Sequence, residues 1–175
     1  MKTYLFLLFL WIGLSANAQD SLQADFPAKW VGVWTGELNI YSPQGLQQSV
    51  PMELHILPRD SFYTWTIVYG QQPRNYLLKP LQPKQGLYLI DEQNSIGMEA
   101  TLINGKLYSR FEVMGNLLLS TVEQQADGRL RYEIISGSLE ALSTSGGIQE
   151  EGEDMPEVKA YPVNVQQLAF LRKKE

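Results

Sequence analysis

FPAKWVGVWTGELNIY, residues 26–41, sets two tryptophans (Trp30, Trp34) and two glycines (Gly32, Gly36) within seven positions. Trp34, Leu38 and Ile40 fall on one face if the segment is a strand, because side chains alternate with a period of two. Runs of the same kind, rich in Val, Ile, Tyr, Thr, Phe and Leu, recur at approximately 34–41, 49–57, 62–69, 74–80, 86–92, 96–103, 106–114, 117–124, 129–138 and 164–172. Turn-forming SPQG (42–45), PRDS (58–61), GQQP (70–73) and PKQG (82–85) separate them, as do Asn104-Gly105, Gly115-Asn116 and Asp127-Gly128. The expected fold is all-β, a single antiparallel up-and-down meander of about ten strands. With no helix to cover it, such a sheet closes into a barrel or splits into a sandwich.

One hairpin sets its own register. Asn104-Gly105 is a two-residue type I′ signal, both positions needing positive φ. Folding about it pairs Leu102 with Leu107, Ala100 with Ser109, Met98 with Phe111 and Ile96 with Val113 on one face. Glu99 then opposes Arg110, and Thr101 opposes Tyr108, on the other. The inward set continues through Leu118, Ser120 and Val122. For Leu130, Tyr132 and Ile134 to join it, Val122 must face Leu130 across an odd-length loop. That loop calls for Gly128 in the left-handed region, forming a bulge. NVQQLAFLRKK (164–174) reads as a closing strand in which Leu168, Phe170 and Arg172 alternate, although Asn164 with Gln167 also suits a helix start.

Residues 1–18, MKTYLFLLFLWIGLSANA, have the form of a signal peptide: Lys2, an apolar Tyr4–Ile12 core, and Ala16-Asn17-Ala18 at the cleavage site. The apolar run is shorter than the roughly 20 residues a membrane span needs. The expectation is an exported protein, periplasmic or secreted, with a single β-barrel domain over 19–175. Without cysteine, that domain must hold by its core alone. Past residue 18 there are 13 basic and 19 acidic residues, which argues against nucleic acid and anionic membranes as partners. Five of the acids, Glu150, Glu151, Glu153, Asp154 and Glu157, cluster within eight positions of 139–163, a segment expected to be a long acidic loop.

Lys29-Trp30-Val31-Gly32-Val33-Trp34 resembles the lipocalin signature, in which a Lys-aromatic-x-Gly-x-Trp run leads from a short 3₁₀ turn into the first strand. With Gly36 it is also similar to the Gly-x-Trp-x-Gly of nitrobindin-like calycins. The resemblance implies a calycin-like barrel with Gly32 turning the chain into the floor and Trp34 plugging the closed end. It also implies a late cation over that tryptophan, for which Arg172 is the candidate (a cation–π contact). The second lipocalin motif is missing, as is the C-terminal histidine with which nitrobindins hold haem, so no cofactor is expected.

Catalytic chemistry finds little footing. There is no cysteine and no Gly-x-Ser-x-Gly. The only histidine, His55, should point outward beside Glu53. EEGEDMPE (150–157) lacks the ordered spacing of a calcium loop and reads as a solvated stretch; no metal site is expected. Arg74 and Tyr76 share a strand face and could hook a ligand carboxylate, but Gln71-Gln72-Pro73 before them suits a solvated rim. The candidate cavity lining is Leu38, Leu54, Ile56, Trp65, Ile67, Tyr69, Arg74, Tyr76, Met98, Phe111, Leu118 and Tyr132, with Ser109 and Ser120 as polar points. These side chains would either line a hollow or pack it solid. A hollow implies a binder or carrier of a small apolar or amphipathic ligand rather than an enzyme. A filled barrel implies an interaction module using the acidic loop or a patch at Tyr108, Leu117 and Leu119. An enzyme would have to rely on carboxylates such as Asp91 and Glu92.

Overall fold

The computed structural model describes residues 26–150 and 153–175. The expected signal peptide, 1–18, and Glu151 of the acidic segment lie outside them. Ten strands form the barrel: β1 (Gly32–Ser42), β2 (Gly45–Ile56), β3 (Phe62–Tyr69), β4 (Gln72–Gln82), β5 (Leu87–Asp91), β6 (Gly97–Ile103), β7 (Lys106–Val113), β8 (Asn116–Gln124), β9 (Leu130–Ser138) and β10 (Val165–Lys173). Each pairs antiparallel with the next in sequence, and β10 returns to β1 to close the ring. A two-residue strand, Pro58–Arg59, adds to β3. The ambiguous C-terminal segment is therefore a strand, and the up-and-down meander is the observed topology.

One end of the barrel is sealed by the opening stretch. A 3₁₀ turn, Ala28–Trp30, leads into β1, and the Trp34 indole N–H donates to the Trp30 carbonyl at 2.8 Å. Phe26 sets its ring edge-on to both Trp30 and Tyr88, with centroids 4.7 and 4.8 Å apart. Leu54, Ile56, Leu78, Leu102, Leu107, Leu130 and Leu171 fill the space around this plug. Gly36 answers a separate need, because a Cβ there would lie 2.7 Å from the Phe170 carbonyl oxygen on β10. Its bare backbone lets the last strand close against the first.

The cation over Trp34 is Lys173, whose Nζ lies 5.8 Å from the ring centroid, not Arg172. The face assignment of β10 explains the correction. Ala169 and Leu171 are buried and Lys173 pairs with Trp34, so Phe170 and Arg172 point outward. Phe170 finds cover outside, under the Arg129 guanidinium 4.8 Å from its ring. The Lys173 stem runs across Gly32, whose φ of +149° and missing side chain leave room for it.

Asn104 (φ +49°) and Gly105 (φ +74°) make the expected turn, with Leu102 opposite Leu107. Gly128 has φ +82°; its N–H bonds the Gln125 carbonyl, and Gln125 N–H bonds Arg129, the geometry of a three-residue loop with a glycine bulge. That loop places Val122 opposite Tyr132 rather than Leu130, two residues from the expected partner. A two-residue shift keeps every side chain on its face, so the inward set survives.

The segment between β9 and β10 is more ordered than a loop. Ser143–Ser145 pairs with Val158–Ala160 and Gln149–Glu150 with Glu153–Asp154, so Glu150, Glu153 and Asp154 lie in the outer ladder of an irregular β-hairpin arm. Gly146 and Gly147, both at positive φ, absorb the irregularity between the two ladders.

Candidate functional site

Above the plug the barrel is hollow. A cavity of about 860 Å³ occupies the half facing the β1–β2, β5–β6 and β7–β8 turns, a volume within the range of small-molecule sites. Leu38, Trp65, Ile67, Met98, Phe111 and Leu118 line it, together with Tyr69, Arg74, Tyr76 and Tyr132. Leu54 and Ile56 do not; both are fully buried in the sealed end. Alternation assigns them to the inward face correctly but says nothing of height along the axis. Ile40, Val50, Ile90 and Ile134 add apolar wall beyond the candidate lining, and Gln48, Glu92, Glu112 and Gln167 add polar lining. The alternation of β1 had already placed Ile40 with Leu38.

Ser109 and Ser120 also line the wall, and two sets of polar groups interact with one another. Towards the mouth, Tyr76 has both Arg74 and Glu92 beside its hydroxyl, and burial still raises its pKa above the ordinary value. Arg74 is solvent-exposed yet lines the cavity, so it stands at the rim. Deeper in, the hydroxyls of Tyr69 and Tyr132 meet at 3.1 Å. Burial pushes the Tyr132 phenol well above its ordinary pKa and raises that of Tyr69. These phenols are neutral hydrogen-bonding groups at physiological pH, poorly suited to act as nucleophile or base.

The wall has a split. β6 pairs with β5 out to Gly97, and β7 pairs with β8 out to Val113. Between β6 and β7, however, the ladder stops at Thr101 opposite Tyr108. The expected pairs Ala100–Ser109, Met98–Phe111, Ile96–Val113 and Glu99–Arg110 lie beyond that point and are not formed. The Ser109 hydroxyl donates to the Glu99 carbonyl at 2.8 Å where the strands part. Gly97 and Glu112 have outward parity, yet both line the cavity, on the two strands that have parted here.

Elsewhere, His55 stands on the outer face of β2, its Nε2 2.6 Å from Glu53. Asp91, at the end of β5, is bound by Lys79 and by the Gln93 N–H, which lower its pKa. Tyr108, Leu117 and Leu119, expected as an exposed patch, are half-buried. Among the described residues no cluster of three or more His, Asp or Glu is placed to hold a metal ion. No protein-family model matches the chain and no curated protein matches it in sequence.

Proposed function

We propose that the chain is an exported calycin-like barrel that binds and carries a small apolar or amphipathic molecule. The observation that carries this reading is the 860 Å³ cavity, walled by aliphatic and aromatic side chains and open at one end. A barrel whose interior served only as a core would fill that space, since each unfilled volume forfeits contacts. Binding is favoured over catalysis because the deep polar groups are phenols held neutral by burial. The KWVGVWTG stretch and its aromatic plug support the calycin resemblance, and residues 1–18 support export.

Native mass spectrometry of protein purified without detergent, paired with organic extraction, tests the reading. A discrete additional mass that partitions into solvent is expected. An apo mass, together with no quenching of tryptophan fluorescence by a panel of apolar probes, would refute it. Trp65 lines the cavity and serves as the internal reporter.

A further inference from the structure

The hydrogen bond between Tyr69 and Tyr132 is not a cross-strand contact. β3 and β9 stand four strands apart around a ring of ten, so the two side chains meet across the lumen as a bar. Tyr132 is 2% exposed. A single bond between two phenols consumes one O–H proton and leaves the second to be donated into the cavity. The wall around it carries Leu38, Trp65, Ile67 and Ile134, with the uncharged Gln167 and Ser120 on the strands either side of Ile134. Among the described residues no cation touches the bar: Arg74 lies beside Tyr76 and acts on Tyr69 only through its field.

We propose that this bar is the polar recognition element of the cavity and that it selects an uncharged, largely apolar molecule bearing a carbonyl-type oxygen. The inference rests on the carrier reading. An acceptor oxygen placed at the bar takes the spare O–H proton, whereas a hydrocarbon that expels water leaves that donor unpaired. A carboxylate could accept the same bonds, but it would have to be stripped of water where no positive charge is in contact. One spare neutral donor with no cation in contact therefore suits a neutral acceptor better than an anion.

Three probes of one shape test this: benzophenone, diphenylmethane and diphenylacetate, titrated calorimetrically into the native protein and into Tyr69→Phe/Tyr132→Phe. The benzophenone-to-diphenylmethane affinity ratio is expected to fall about tenfold in the double variant, with diphenylmethane binding retained. Tyr69→Phe alone, which keeps the deeper hydroxyl, should lower the ratio by less and covers the case in which the double variant fails to fold. An unchanged ratio, or diphenylacetate binding the native protein more tightly than benzophenone, overturns the assignment while leaving the carrier reading intact. Failure of all three probes to bind the native protein also overturns the assignment, and the carrier reading is then decided by the native mass and the quenching panel.

Discussion

Replacing Gly36 by alanine sets two opposing effects against each other. Alanine in a strand ordinarily stabilises relative to glycine by about 0.5–1 kcal/mol, because the unfolded chain has less freedom to lose. Here the new methyl would lie 2.7 Å from the Phe170 carbonyl oxygen and 3.0 Å from the Leu171 Cδ2, both on β10. Neither can move freely: Leu171 is fully buried and the Phe170 carbonyl belongs to the strand that closes the barrel. Overpacking of this kind costs about 1–3 kcal/mol, so the net effect should be a loss of about 1–2 kcal/mol. For a chain of this size that lowers Tm by about 2–8 °C. Thermal unfolding followed by circular dichroism reads it directly. Glu37→Ala, one residue on and exposed, provides the comparison and should stay within about 0.5 kcal/mol of the parent. A Tm for Gly36→Ala at or above the parent value would show that β10 yields without cost and would refute the close-approach argument.

Lys173→Met keeps the aliphatic stem over Gly32 but removes the charge above Trp34, and should cost about 0.5–1 kcal/mol. Arg172→Met should cost less than about 0.5 kcal/mol; equal losses would return the floor contact to doubt. In alkali the buried phenols govern stability. Tyr132 has its folded pKa raised above the unfolded value near 10.0, so its contribution is whole below that pH and is lost as pH rises towards the folded value. Tyr132→Phe should therefore flatten the fall in Tm between pH 9 and 11 (about the phenol range), and an unchanged slope would contradict it. The split between β6 and β7 predicts a kinetic effect. The chain has no cysteine, so Glu99→Cys/Arg110→Cys joined by a short bis-maleimide makes a unique bridge across the split. Bridging should slow both uptake and release of anilinonaphthalenesulfonate; stopped-flow rates that do not change would rule out exchange through the wall.

Period-two alternation made the strands and the faces legible, and turn chemistry supplied the register wherever glycine or asparagine had to take positive φ. Asn104-Gly105 is the clearest case. The errors share a physical origin. β10 carries apolar residues on both faces, Leu168 and Phe170 outside and Ala169 and Leu171 inside, so its pattern fits two registers and does not distinguish Arg172 from Lys173 as the floor cation. The external stacking of Arg129 on Phe170, a tertiary contact, is what makes the outward phenylalanine tolerable. Leu54 and Ile56 show that alternation distinguishes inside from outside but not plug from cavity. The split was invisible for a related reason: Met98 and Phe111 keep their inward parity whether or not their strands pair. In the arm, Ser-Thr-Ser-Gly-Gly offers no alternation, and its hairpin is held by backbone bonds such as Met155 N–H to the Ile148 carbonyl. Of the site, the wall could be listed from sequence. The bar across it could not, because Tyr69 and Tyr132 meet only once closure sets two distant strands face to face.

That closure has a consequence for how the molecule comes into being. Every pairing in the meander but one joins neighbours in the chain, so hairpins can form in succession as residues become available. The exception brings Trp34 to Lys173, about 140 positions away. Until Val165–Lys173 arrives, β1 and β9 are bare edges, open to pairing with other chains. Loss of that single strand would not trim the molecule by a tenth. It would leave an unrolled sheet with its tryptophans in water and no interior to speak of.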